Sequence, residues 1–269
     1  MSRSSSLAAA RRALPVFLFL SGVGVLAGAS CAGPSRADAT TSIAAIQGAG
    51  HRSPLAERVV TVRGVVTANL DDGFTVQDPV GDGDAATSDA LIVRTTRSIA
   101  PGTAVEVTGT VREELPGGRR DNLTVTTLVE TTVAVLDEDL GRVEPVVLGR
   151  AGRAIPHRVI DDDRLGDFEP AADGIDFYES LESMLVRVDA PFVIDATSRF
   201  GEIWVLADGG RDASGRNRRG GVTLTAADAN PERIQIDDDL YPENAPRVQI
   251  GDRLEAVVGV VGYDYGNYD

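Results

Sequence analysis

The chain contains no lysine: all 26 of its basic residues are arginine, set against 41 acidic residues, and the net charge is −15. An acidic excess of that size argues against broad, nonspecific affinity for nucleic acid, because phosphates are repelled except where arginines gather locally. Cysteine is nearly absent. With Cys31 alone there is no disulfide framework and no paired-cysteine zinc spacing, so a packed core has to hold the fold. The two histidines, His51 and His157, are far apart, and neither an H-E-x-x-H metal motif nor a G-x-S-x-G nucleophile elbow occurs. Aromatic residues make up 5% of the chain and include one tryptophan, Trp204. Long apolar runs are missing apart from Ala13–Ala29.

That run is short, broken by glycine, and preceded by Arg3, Arg11 and Arg12. It suits the apolar stretch of an export signal better than a membrane-spanning helix, and residues 1–32 are read as a signal peptide. Cys31 follows at once, in the position of a lipid-modified cysteine in a bacterial lipoprotein signal. Two readings stand: lipidation at Cys31, or cleavage near Ala29 or Ala39 with Cys31 incidental. The expected location is extracellular, or lipid-anchored at the bacterial cell envelope, with the membrane touched only through that lipid.

What the chain has in quantity is alternating strand. RVVTVRGVVTANLDDGFTVQD (58–78) and PGTAVEVTGTV (101–111) are answered by MLVRVDAPFVIDATSRFGEIWVLAD (184–208) and IGDRLEAVVGVVGY (250–263). Each half shows a long strand, a turn, a second strand and later a glycine-led strand. This predicts an all-β chain of two small OB-like β-barrels in tandem. The expected divisions are a tether and lead-in at 33–56, a first barrel at 57–136, a linker at 137–175, and a second barrel at 176–269 that is truncated at its C-terminus. Strands are expected at 89–95 and 103–113, with one or two more over 121–135, and with only a turn between the third and fourth. Asp176 and Glu179 have capping-box spacing and predict a short helix near 176–182.

Candidate binding residues follow from local charge. Arg211, Arg216, Arg218 and Arg219 form the best basic patch, in a glycine-rich loop expected to mould to a phosphate backbone. Arg119 and Arg120 make a smaller patch in the first barrel. Single strands also want an aromatic on which a base stacks, and Phe74 and Trp204 are the candidates, each with a competing reading as core. Asp161, Asp162 and Asp163 near His157, and Asp78 to Asp89, are oxygen-rich stretches that could hold a divalent cation. A solvated linker and a hydrated hairpin loop are the more economical readings. No acid/base pair marks an enzyme, so neither catalytic residues nor a cofactor are assigned to this chain.

Taken in order, ATTSIAAIQGAGHRSPL, VTVRGVVTA, GFTVQDPVGDGDAATSDALIV, VEVTGTVREE, DGIDFYESLESMLV, FGEIWVLAD, NPERIQIDD and VGVVGYDYGNY resemble the non-catalytic region of large secreted bacterial nucleases. In that family OB-like domains precede an endonuclease/exonuclease/phosphatase domain. The resemblance implies an accessory role in extracellular DNA or RNA degradation. It implies as partners the nucleic acid and a downstream nuclease domain, whose chemistry uses a divalent metal, Mg or Ca. None of that domain's catalytic motifs is in this sequence, and no catalytic residue is carried over. Ser183 departs from the glycine usual in the family's E-G-M context, which puts the helix-to-strand turn in question. The alternative is an exported or lipid-anchored structural module that binds a protein or a glycan.

Overall fold

The computed structural model describes residues 40–120, 122–238, 240 and 246–269. The signal-peptide reading and Cys31 lie outside them.

A short helix, α1 (Ile43–Gln47), comes first, its N-terminus held by the Ser42 hydroxyl, which accepts the Ala45 N–H at 3.3 Å. Five strands follow: β1 (Val59–Leu70), β2 (Gly73–Gln77), β3 (Ala90–Arg94), β4 (Ala104–Glu114) and β5 (Val125–Val135). They close into a barrel in the order β1-β2-β3-β5-β4, with β4 returning to β1 and β5 running parallel to β3. The first half is thus the OB-like barrel that its alternation predicts.

One long strand serves two neighbours. Val59–Val65 of β1 pairs with β4, and Val65–Leu70 pairs with β2. The strand coils between these two partners, with a register shift between Val66 and Ala68. Gly64 sits at the crossover because a Cβ there would lie 2.8 Å from the Gln77 carbonyl oxygen. Inside, Val62, Val66, Phe74, Val76, Leu91, Val93, Val105, Val107, Val111 and Leu128 form one apolar cluster. No helix separates β3 from β4. Instead α1 delivers Ile43 and Ile46 to this cluster from the other end of the sequence.

The second half begins earlier than its sequence suggests. The segment 137–175, read as a linker, contains β6 (Val146–Leu148), which runs parallel to β7 (Leu185–Val188). Its apolar Val-Val-Leu run is short, but it buries Leu148 in the second core. β11 (Val257–Val260) pairs with the other edge of β7. A second sheet holds β8 (Phe192–Val193), β9 (Ile203–Leu206) and β10 (Ile234–Ile236). The long strand expected to open the 184–208 stretch is divided at Asp189–Pro191, where Ala190 has φ 45°. A single bridge, Phe192 to Arg253, reaches across toward the β11 segment. The hairpin β12 (Tyr263–Asp264) and β13 (Asn267–Tyr268) ends the chain.

Helix α2 (Gly174–Glu179) starts two residues before the predicted N-terminus. Asp173, not Asp176, occupies the N-cap position, and its side chain makes no capping bond. The Asp176 carboxylate is drawn elsewhere: it accepts the Glu169 N–H at 2.6 Å and lies 3.0 Å from His51 Nε2.

The described residues belong to one compact unit. The halves interlock through polar bonds: Ser88 Oγ donates to the Glu182 carbonyl at 2.6 Å, and the Leu185 N–H donates to Gln77 Oε1 at 2.8 Å. Ala90 of β3 is buried in the core of the second half.

Candidate functional site

Strand alternation on β9 sets up the site. Ile203 and Val205 are buried, and Trp204 between them is partly buried on the opposite face, packed against the Phe192, Ile194 and Leu206 cluster. On β10, Gln235 stands directly across from Trp204. Arg233, just before β10, lays its guanidinium over the indole at 4.6 Å from the ring centroid. Burial lowers the Arg233 pKa, against the raising effect of neighbouring Glu232, and its Nε has no hydrogen-bond partner among the described residues.

Trp204 and Arg233 open into a groove of about 400 Å³, which Arg219, Asn217 and Asp195 also line. Leu224 and Ile250, 53% and 47% exposed, supply an apolar margin. A volume of this size, with one aromatic wall and a few convergent polar groups, suits a small planar ligand or one unit of a polymer.

The glycine-rich loop over 208–221 is held in its conformation by hydrogen bonds of its own. Asn217 N–H donates to the Gly221 carbonyl at 3.0 Å, Arg219 N–H to Asn217 Oδ1 at 3.0 Å, and Asn217 Nδ2 to Thr223 Oγ1 at 3.2 Å. Gly215, at φ 61°, is needed because a Cβ there would meet Asn230 Oδ1 at 2.5 Å.

This order divides the predicted arginines. Arg216 donates to the Gly210 carbonyl at 3.0 Å and stacks on Phe192 at 4.4 Å, so it serves the fold. Arg211 donates to the Asp208 carbonyl at 3.1 Å. Arg218 is exposed, and Arg219 reaches the groove. Arg119 and Arg120 are exposed on the β4–β5 connection and are not among the groove's lining residues.

Phe74 is a correction. It is 0% exposed, packed in the first barrel's core, and a base has no access to it. Its side chain takes the inward face of β2, opposite Val93 of β3. Trp204, for which the core reading competed, is the aromatic that remains reachable. Sequence reasoning missed Arg233, which sits outside any arginine cluster, and Asn217, which lies between Arg216 and Arg218. The alternation of Arg233, Gln235 and Trp204 against Ile203, Val205 and Ile234 is the signal that marks Arg233. It also passed over Phe200, 64% exposed at the β8–β9 turn beneath the Arg199 guanidinium.

The acidic stretches resolve differently. Among the described residues, Asp161, Asp163 and Asp173 bring one carboxylate oxygen each within 4.8 Å of one another. Asp161 Oδ1 accepts N–H groups from Asp163, Arg164 and Leu165, and the Asp163 oxygens accept from Gly166 and Asp167. These bonds organise the turn. His157 is elsewhere, 3.9 Å from Glu232. In the Asp78–Asp89 loop the carboxylates of Asp78, Asp82, Asp84 and Asp89 each accept an N–H from the loop itself. Burial pushes Asp89 up to about 6.

Residues 147–269 match a family described as Domain of unknown function (DUF8508). The matched segment opens within β6 and takes in the whole groove, and it leaves out the five-stranded barrel. No curated protein matches the chain. Among the described residues, no helix is long and apolar enough to cross a membrane.

Proposed function

We propose that this chain is an accessory binding region of a secreted bacterial nuclease, and that its second half holds a strand of DNA or RNA in the Trp204 groove. The observation that carries the proposal is the convergence of Trp204, Arg219 and Asn217 on one groove. A base stacks on the indole, where Arg233 already covers part of the ring. Arg219 donates to the adjoining phosphate, with exposed Arg218 next to it along the loop. Asn217 supplies an amide edge. Catalysis, with its divalent metal, belongs to a partner nuclease domain, and the first barrel serves as the rigid body that carries the groove.

A second reading has its own support. Asp195 lines the same groove, and the net charge of −15 opposes a polyanion. Tryptophan with Asp and Asn also suits the apolar face and hydroxyls of a neutral sugar.

One titration separates the two readings, because Trp204 is the only tryptophan and reports directly on the groove. Single-stranded oligonucleotides are expected to quench its fluorescence, with an affinity that falls as salt rises. Quenching by a neutral oligosaccharide, without salt dependence and with no response to oligonucleotides, replaces the nucleic-acid reading with the glycan one.

A further inference from the structure

The second half repeats the strand plan of the first barrel as far as its fourth strand. β11 pairs with β7, and Arg253 before it pairs with Phe192 of β8 in the same register, as β4 pairs with β1. β9 pairs with β8 and β10 with β9, as β2 pairs with β1 and β3 with β2. In the first barrel β5 then closes the sheet, antiparallel to β4 and parallel to β3. Among the described residues, β11 has a strand neighbour only on its β7 side.

The lane that β5 fills is begun in the second half and then left open. Val261 donates its N–H to the Met184 carbonyl at 3.0 Å and accepts the Ser183 N–H at 2.9 Å, so its backbone faces the β7 side. Gly262 faces the other way and exchanges two bonds with Asp269, at 2.8 and 3.2 Å. β13 lies against β10, as β5 lies against β3. Backbone direction alternates along a strand, so Val260 and Val258 turn their N–H and C=O groups to the same side as Gly262. No described residue pairs with them there.

Two positions show what β5 does in the first barrel and what is open in the second. A Cβ on Gly109 of β4 would lie 3.0 Å from the Val129 carbonyl oxygen of β5. Gly259 is its counterpart: Gly109 stands opposite Val60, Gly259 stands opposite Val186, and both valines are buried. A Cβ on Gly259 would meet nothing within 4 Å. Val107 is fully buried, opposite Val133 of β5, whereas the matching Val257 is only partly buried. Residues 256–262 carry no charge and no proline, the devices that keep an exposed edge from pairing.

We propose that this edge of β11 binds an extended segment of a partner polypeptide, antiparallel to β11, in the lane that continues from the Gly262–Asp269 pair. The segment that fits is about seven residues long, the length of β5 from Val129 to Val135 that covers Val105–Thr110. Main-chain bonds to Val258 and Val260 supply affinity, and a β-branched apolar residue covers Val257, as Val133 covers Val107. The inference does not depend on the Trp204 groove being a nucleic-acid site.

The test is hydrogen exchange, followed by NMR, on the full chain with a synthetic peptide of the β5 sequence VTTLVETTVAV, flanked by arginines for solubility. In the chain alone the Val258 and Val260 amides are expected to exchange freely, and those of Val257 and Gly259 to be protected. Saturating peptide is expected to slow Val258 and Val260 by about tenfold or more. A copy with proline at alternate positions is expected not to bind. Gly259→Val enters open space in the free chain, so the fold is kept. It is expected to lower peptide affinity by about tenfold or more, because its side chain enters the lane. Failure of the β5 peptide to bind overturns the proposal, as does equal binding of the proline copy. So does unchanged affinity in Gly259→Val, or in Gly259→Ala if the larger side chain prevents folding. Protection of Val258 and Val260 before any peptide is added also overturns it, and sedimentation then tells a second copy on this edge from cover by the chain itself.

Discussion

Gln47 Nε2 donates to Glu182 Oε1 at 3.1 Å, joining residues 135 positions apart in the chain. The same amide donates to the Ala90 carbonyl at 2.6 Å, and Glu182 Oε1 also accepts the Thr126 N–H at 3.0 Å. One buried carboxyl therefore ties α1, β3 and β5 to the turn after α2. Desolvation, then the nearness of Glu179, holds the Glu182 pKa well above the usual carboxyl range.

This junction makes stability depend on pH. Burial pushes Glu179 up to about 7, from the ordinary 4.5, even though Tyr268 donates its hydroxyl to it. A carboxyl whose folded pKa is raised favours folding while protonated, and that contribution is lost as pH rises through the folded value. Asp89 acts in the same direction, from 3.8 to about 6. Urea midpoints are expected to fall between about pH 4.5 and 7. Glu179→Gln is expected to flatten that fall, and an equally steep fall in this variant would remove Glu179 as its source.

Ser183 takes φ 63°, a left-handed conformation, at a site where it is 1% exposed and its hydroxyl has no partner among the described residues. The turn that the missing glycine puts in question is thus kept, at the expense of strain and an orphaned hydroxyl. Ser183→Gly relieves both and is expected to stabilise the protein by about 1 kcal/mol, after the entropic cost of glycine. A thermal melt checks this, and a lowered Tm would show that the Ser183 side chain contributes packing.

Phe74→Ala is expected to cost about 3–5 kcal/mol, because it empties the centre of a closed barrel. Denaturant unfolding measures it. A loss of a few tenths would be the signature of a surface aromatic, contrary to its burial.

The arginines of the 208–221 loop are expected to separate. Arg219→Ala lowers oligonucleotide affinity and reduces the salt slope by about 0.7, with the melting temperature unchanged. Arg216→Ala lowers the melting temperature, because it removes the stack on Phe192 and the bond to Gly210, and leaves the slope nearly unchanged. Equal effects of the two on the slope would show that the loop binds as an undivided patch.

Strand identity was legible in the residues because period-2 alternation records which face of a strand is buried. The first barrel's five strands, the turn between β3 and β4, and a helix near Asp176 all follow from that pattern and from turn chemistry. What the sequence by itself determined was therefore the all-β class and the position of the first barrel's strands in the chain. Alternation cannot say what covers a strand's outer face. Every residue of β2 is buried, Thr75 and Gln77 included, because the second half packs there and Leu185 bonds to Gln77. Nor does arginine spacing say which guanidinium is taken up by a carbonyl or a ring. Only the tertiary structure decided that Phe74 is core, that Trp204 is reachable, and that Arg216 supports the fold while Arg219 meets the indole's groove. The reason is that each of these depends on contacts between segments far apart in the chain, and local patterning carries no record of them.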